Sequence, residues 1–340
     1  MSRARDLADS ADKDIVGTIT VDGLTVAGNV SADGGTIKLD GNYPVGTDNV
    51  ALGNTALDSV QSGGNYNVAV GANAGTAITT GDSNVAIGDV ALTANTTASN
   101  NVAVGSVAMN VNTTGGNNVA VGTQSLRNNT TASSNTAVGY KAGYSNTTGT
   151  LNTFIGETSG DALTVGTRNV SLGQGSLTRD TQGSRSVAVG QGALNNQNFT
   201  SATDTYNTAV GNGAGGQITT GTQNTLVGGL AGDAITVGVR NVALSANALS
   251  SDTKGSHSVA IGYNSLFNQN FTSATETYNT AVGYNTGSSI STGVNNTLIG
   301  GLAGDALTDA DSNVAIGKFA LSSDTLGSKS VAIGDSALYA

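Results

Sequence analysis

The chain has 340 residues, a net charge of −10 and no cysteine, with 49 glycines against one proline and no tryptophan. The absence of cysteine excludes disulfides and thiolate metal sites, and the acidic balance argues against a nucleic-acid groove, which needs a dense basic stripe. Charged residues make up only 11% of the chain and hydrophobic residues 37%. This composition fits neither an ordinary globular core nor a disordered chain, but it suits thin layers of small side chains.

The first 48 residues lack the repeat that fills the rest of the chain. Residues 1–14 are the most charged stretch and have no apolar signal core, so we predict an N-terminal docking segment in which Arg3, Arg5 and Leu7 contact a partner. Residues 15–48 alternate β-branched residues with Gly turns, which predicts a β-rich stem that caps the first coil. No apolar run approaches the length of a membrane span, so we expect no membrane insertion.

From residue 49 onward one short phrase, typified by Asn84-Val85-Ala86-Ile87-Gly88, recurs seventeen times at a spacing of 17 residues nearly everywhere. Its copies start at residues 49, 67, 84, 101, 118, 135, 152, 169, 186, 207, 224, 241, 258, 279, 296, 313 and 330. A short fixed period predicts a solenoid in which each repeat is one coil stacked on the next. Residues 49–340 are therefore predicted to form a parallel β-roll shaft, about 80 Å long at about 4.8 Å per coil.

Each coil is numbered from its first residue, usually Asn. Positions two and four are β-branched or Leu, position three is usually Ala, and position five is Gly except at Ser245, which predicts a strand followed by a bend. A small residue at eight and Leu, Met or Gly at nine predict a second short strand, and the polar remainder predicts a long turn. Asn at position one in fourteen coils predicts a ladder of stacked side-chain amides.

Both faces of the first strand are apolar, and this predicts more than one chain. We expect positions two and four to line the inside of the roll, which leaves the Ala of position three facing outward. A second apolar face needs a partner, most simply two further copies around a threefold axis, with Ala permitting close approach. The alternative is that Ala simply faces solvent.

A longer period of 72 residues overlies the coils, since Phe154, Leu226 and Leu298 replace Ala at this spacing. Two coils of the longer repeat, 186–206 and 258–278, carry four extra residues each. Their extended turns hold aromatic and amide side chains that suit sugar binding by stacking and hydrogen bonding. The candidate receptor-binding residues are Asn198, Phe199, Tyr206, Asn270, Phe271 and Tyr278. The alternative, which the fixed places of the aromatics favour, is that they fold back on the rod and brace the insertion.

Groups that could carry catalysis are sparse. The only histidine, His257, sits in a polar turn without triad spacing, and carboxylates such as Glu157 and Asp161 recur too incompletely to form a shared groove. No phosphate loop, zinc pattern or calcium-binding nonapeptide occurs. We therefore expect no enzyme activity, no metal and no cofactor.

The last coil ends near Tyr339 and raises the question of what covers its open strand edge. Contacts within a trimer, Tyr339 folding over the coil, or another protein would each do so. The pattern of residues does not choose among them.

The phrases that begin at Asn84, Ser258 and Ser330 resemble the head repeats of trimeric autotransporter adhesins. The longer wording of residues 135–149, and the stem phrase of residues 17–30, look still more like tail-fibre proteins of bacteriophages, especially cyanophages. The resemblance implies a left-handed parallel β-roll, a homotrimer, an N-terminal end docked to another virion tail protein, and a distal end near the host. The chain lacks the adhesins' signal peptide, coiled-coil stalk and membrane barrel, which favours a virion protein assembled in the host cytoplasm.

The function that these observations predict is a structural, non-enzymatic trimeric fibre of a phage tail that contributes to host-cell attachment, with cell-surface polysaccharide as the receptor. The main rival is a spacer or decoration protein of the virion that touches no receptor. Ice binding, which uses flat Thr arrays, is disfavoured because Thr falls irregularly in the turns. A depolymerase is the remaining alternative.

Overall fold

The computed structural model describes residues 46–339, and within this range the chain is an all-β solenoid without a helix. Seventeen three-residue strands, one per coil, form one parallel sheet, and two pairs of two-residue strands stand beside it. The strands are β1 Val50–Leu52, β2 Val68–Val70, β3 Val85–Ile87, β4 Val102–Val104, β5 Val119–Val121, β6 Thr136–Val138, β7 Thr153–Ile155, β8 Val170–Leu172, β9 Gly183–Ser184, β10 Val187–Val189, β11 Thr203–Asp204, β12 Thr208–Val210, β13 Thr225–Val227, β14 Val242–Leu244, β15 Gly255–Ser256, β16 Val259–Ile261, β17 Thr275–Glu276, β18 Thr280–Val282, β19 Thr297–Ile299, β20 Val314–Ile316 and β21 Val331–Ile333.

Register is uniform along the sheet. Each phrase pairs with the phrase of the next coil, position for position, so that Ala86 lies opposite Ala103. The longer coils keep this register, because Val187 pairs with Thr208 although the coil between them has four extra residues. The predicted parallel β-solenoid of 17-residue coils is thus confirmed, and the extra residues are accommodated outside the main sheet.

The two faces of each strand are used in the opposite way to the prediction. Ala103 is fully buried at position three, whereas Val102 and Val104 on either side of it are partly exposed. The same alternation recurs along the sheet, and it places the Ala row inside the roll. Hydrophobicity ranks Val above Ala as an interior residue, but a coil this narrow leaves room for only a methyl group opposite its second interior row.

That second interior row comes from positions eight and nine, which form a turn instead of the predicted strand. In the coil that starts at Asn84, Ala91 and Leu92 are both fully buried. Val90 and Leu92 have φ of 50° and 52°, the left-handed region that ordinary residues rarely adopt. Two left-handed residues on either side of position eight reverse the chain within one turn, so that adjacent side chains both reach the interior.

Large residues at position three are matched by Gly at position nine. Phe154 is fully buried, and a Cβ added to Gly143 or Gly160 would lie 2.6 Å or 2.4 Å from its ring. Leu226 stands in the same relation to Gly232, where an added Cβ would lie 2.8 Å from its side chain. The 72-residue period therefore records a packing rule in which a bulky third residue takes the space vacated at position nine.

Amide ladders run inside the roll. The backbone N–H of Asn84 donates to Asn67 Oδ1 at 2.9 Å, and that of Asn101 donates to Asn84 Oδ1 at 3.0 Å, which confirms the predicted ladder at position one. A second ladder that the sequence interpretation missed occupies position twelve, where Asn112 Nδ2 donates to Asn95 Oδ1 at 3.0 Å. Both rows are fully buried, so their function is to satisfy backbone groups at the corners of each coil.

The final coil is the most exposed part of the sheet. Val331 and Ile333 are 64% and 66% exposed. The ring of Tyr339 lies edge-on to Phe319 with centroids 5.9 Å apart, so Tyr339 does fold back onto the preceding coil.

Candidate functional site

The two inserted coils rest on matching buried polar networks. In the first, Gln197 Nε2 donates to Asp180 Oδ2 and, at 2.8 Å, to Ser186 Oγ. Ser186 Oγ in turn shares a hydrogen bond with Thr205 Oγ1, and Asn207 Nδ2 donates to Gln197 Oε1 at 2.9 Å. All five side chains are buried. Ser replaces Asn at position one here because the glutamine amide enters the coil and takes the place of the usual ladder.

The second copy repeats this network residue for residue. Gln269 Nε2 donates to Asp252 Oδ2 at 2.6 Å and to Ser258 Oγ at 2.8 Å, and Asn279 Nδ2 donates to Gln269 Oε1 at 2.9 Å. Burial raises the pKa of Asp252 above its ordinary value, and hydrogen bonds from Gln269 and from backbone N–H groups oppose this shift only in part. Each insertion therefore begins from a fixed, dehydrated base.

The candidate receptor-binding residues divide into two groups. Phe199 and Phe271 are each only 6% exposed, so the predicted bracing role is confirmed for the phenylalanines. Asn198 and Asn270 are exposed, but Thr181 Oγ1 and Thr253 Oγ1 donate to their side-chain oxygens at 3.2 Å and 2.9 Å. These threonines tie the insertions to the coils before them.

Tyr206 and Tyr278 form the exposed group, at 50% and 51% exposure. Each is the last residue of its coil and is left-handed, with φ near 50°. The last residues of successive coils project as one row, here called the terminal row. Over the second half of the chain the terminal row consists of Leu151, Arg168, Arg185, Tyr206, Gln223, Arg240, His257, Tyr278, Asn295, Ser312 and Lys329. No acidic residue occurs among these positions, in a chain whose net charge is −10.

The terminal row differs beside the two insertions. At the first, Arg185 Nε pairs with Asp204 Oδ1 at 3.0 Å, and its guanidinium lies 5.5 Å from the centre of the Tyr206 ring. At the second, His257 stands where Arg185 stands in the first copy and stacks on Tyr278 with ring centroids 5.2 Å apart. The first rim is thus an ion pair capped by an aromatic ring, and the second is an aromatic stack.

A pocket of about 290 Å³ opens beside the second insertion, lined by Val239, Arg240, Ser256, His257 and residues 274–276. The sequence interpretation treated His257 as a solvated turn residue and did not consider Arg240. The signal that identifies them is positional, since stepping back from Tyr278 by one long coil and then one ordinary coil reaches His257 and Arg240. Composition and local motifs carry no trace of this juxtaposition, because its members are far apart in the chain.

The prediction that Thr falls irregularly is wrong for one region. Over five successive coils a Thr pair occupies positions thirteen and fourteen, and the position-fourteen members are exposed. These are Thr80, Thr97, Thr114, Thr131 and Thr148. At position thirteen the hydroxyls are engaged, as where Thr113 Oγ1 donates to Thr130 O at 3.0 Å. Two regular rows of Thr therefore run along one corner of the roll.

The proposed docking residues Arg3, Arg5 and Leu7 lie outside the described residues, and so does nearly all of the predicted stem at 15–48. Within residues 46–339 no cluster of His, Asp and Glu side chains could hold a metal ion. In the same range, no helix is long and apolar enough to cross a membrane. No protein-family model matches the chain, and a comparison with curated proteins finds no match.

Proposed function

We propose that this chain is the shaft of a homotrimeric fibre on a bacteriophage tail and that it contributes to attachment of the particle to its host cell. The observation that carries the proposal is the outer face of the main sheet. Positions two and four hold only Val, Thr, Ile or Leu in all seventeen coils, and none of these positions is charged. We call this face the apolar stripe.

The size of the apolar stripe supports association with further copies. Seventeen strands at about 4.8 Å each, with about 10 Å of strand length, give about 800 Å². That is the area which one partner buries in a standard protein interface, and it exceeds what monomeric proteins usually leave exposed in one patch. Individual members such as Leu52 and Ile87 are 47% and 38% exposed in the single chain. The occupant is a second and a third copy of the chain.

A threefold arrangement suits a stripe that runs the whole length of the coil stack. Three parallel chains turn their stripes toward a common axis, and every coil then meets its equivalent at the same level. The correction of the two strand faces strengthens this proposal, because the larger Val, Ile and Leu side chains, not Ala, form the buried seam. The resemblance to adhesin heads and phage fibres supplies the number three and the virion setting.

Attachment is assigned to the insertions, because they interrupt an otherwise uniform coil. Deleting residues 200–203 and 272–275 returns both coils to the ordinary length and spares the buried networks at their base. Purified full-length protein is expected to compete with particles for adsorption to cells that they infect, and the shortened protein is expected to lose that competition. Competition that survives shortening would instead support the spacer function, with reach as the only contribution.

A second candidate function, ice binding, rests on the five exposed Thr residues that line up at position fourteen. Their spacing follows the coil spacing of about 4.8 Å and forms a short regular array. Thermal hysteresis that the substitution Thr114→Lys abolishes would support this function. No hysteresis at millimolar concentration would exclude it.

A further inference from the structure

The pocket at the second insertion has the dimensions of a small-ligand site. Its volume of about 290 Å³ lies at the lower end of the range for ligand pockets, which suits a single ring. Its walls come from three successive coils, since Arg240, His257 and Glu276 belong to different turns of the solenoid. None of the lining residues belongs to positions two or four of a coil, so association through the apolar stripe leaves the pocket open.

Arg240 supplies positive charge that no protein group neutralises. Its Nε donates to Gln223 Oε1 at 2.8 Å and its Nη1 lies 3.3 Å from His257 Nε2, which fixes the direction of the guanidinium. Within residues 46–339 the ion pair between Arg185 and Asp204 is the only one, so Arg240 has no carboxylate partner there. A fixed guanidinium with free N–H groups is suited to bidentate binding of a carboxylate.

The partner of Arg240 also fixes the state of the imidazole. Arginine can only donate, so His257 Nε2 accepts, and the proton of the neutral ring stays on Nδ1. That Nδ1 is covered and has no hydrogen-bond partner. The ring is instead held by its stack on Tyr278, which presents a flat aromatic surface at the rim of the pocket.

Acceptors occupy the opposite wall of the pocket. Glu276 Oε2 accepts a hydrogen bond from Tyr278 Oη at 2.7 Å, which leaves its other oxygen free to accept from a hydroxyl group. This bond is the first cause of the raised pKa of Tyr278, so the phenol keeps its proton and remains the donor. A guanidinium on one wall and a carboxylate on another match a molecule that carries both an acid group and hydroxyls.

We infer that this pocket binds one residue of an acidic polysaccharide, a sugar that carries a carboxylate. Arg240 binds the carboxylate, Glu276 accepts from ring hydroxyls, and Tyr278 covers one face of the sugar. The inference rests on the proposed attachment function, whose receptor class it names. The first insertion differs in the deciding respect, because Arg185 is already neutralised by Asp204. The second insertion is therefore the binding copy.

The experiment uses the full-length chain and two probes of equal length, tri-galacturonate and maltotriose. Saturation-transfer NMR and calorimetry measure binding of each probe to the native protein and to Arg240→Gln, Glu276→Gln and Arg168→Gln. Arg168 is the matched control, because it occupies the position equivalent to Arg240 in the first copy, 72 residues earlier.

We expect tri-galacturonate to bind at least tenfold more tightly than maltotriose, and Arg240→Gln to remove that preference. Arg168→Gln should leave binding within twofold of the native protein, and Glu276→Gln should retain the preference for the acidic probe because it removes a negative charge. Equal binding of the two probes, no binding of the acidic one, or an equal loss in Arg168→Gln would overturn the inference. Sedimentation of the same samples reports on the trimer, so a failure of the proposed fibre is distinguishable from a failure of the pocket.

Discussion

The insertions at 186–206 and 258–278 are duplicates below and different above. Below, Asp180 with Gln197 and Asp252 with Gln269 form the same buried pairs on the same neighbours. Above, the first rim is closed by an ion pair, whereas the second rim leaves an open pocket. The difference teaches that the base of each insertion is set by the need to satisfy buried polar atoms. The rim has no such constraint, and its chemistry can change without disturbing the coil.

The largest expected effect tests the shared base. Replacing Phe199 or Phe271 by Ala should destabilise the protein by about 3 kcal/mol in either copy, because each ring is almost fully buried. The midpoint of urea unfolding measures the change. Tyr206→Ala and Tyr278→Ala are the matched controls and should cost less than about 1 kcal/mol, since half of each ring is exposed. Clearly unequal costs for the two Phe variants would contradict the equivalence of the bases.

The next effect concerns the coil that precedes the second insertion. Ser245 has φ of 120° at the position where the first copy has Gly173, with φ of 136°. This region of backbone space strains any residue with a Cβ, so Ser245→Gly should stabilise the protein by about 1 to 2 kcal/mol. The control Gly228→Ser should destabilise it, because an added Cβ there would lie 2.4 Å from Ser245 backbone atoms. A neutral or destabilising Ser245→Gly would show that the strain is absent.

A pH dependence follows from the buried Asp252. Burial raises its pKa above 3.8, so between that value and the folded pKa the folded state binds more protons than the unfolded state. The contribution of Asp252 to stability is therefore full below pH 3.8 and is lost as the pH rises through the folded pKa. Asp252→Asn does not titrate, so its stability relative to the native protein should improve from pH 4 to pH 7. A difference that is constant across this range would contradict the shift.

The smallest effect belongs to the rim of the first insertion. The Arg185 and Asp204 side chains are 39% and 50% exposed, and exposed ion pairs contribute little. A double-mutant cycle with Arg185→Gln and Asp204→Asn should give a coupling of about 0.5 kcal/mol or less. A coupling several times larger would mean that the first rim, unlike the second, is part of the structural base.

The period alone predicts most of the fold. Strand positions, parallel register, the amide ladder at position one and the bracing phenylalanines all follow from counting coils of seventeen residues and reading side-chain size. The assignment of the two strand faces could not be made this way. Both faces are apolar, and the choice depends on the width of the coil, which the left-handed turn at positions seven to nine determines. That turn uses Val and Leu, whose presence gives no sign of a positive φ.

The candidate site was predictable only in part. The insertions are visible as a break in the period, and Tyr278 was identified with them. Arg240 was missed because it lies 38 residues before Tyr278 and resembles any other surface arginine. Its place is fixed by the stacking of three coils, so it can be found from the sequence only by aligning coils at their ends.

The central claim is that the apolar stripe is buried among three copies of the chain. Sedimentation equilibrium of the purified full-length protein tests it directly, with Val121→Lys in the middle of the stripe as the comparison. We predict three times the mass of one chain for the native protein and a shift toward lower mass for Val121→Lys. A native protein that sediments at the mass of a single chain over the whole concentration range would contradict the account.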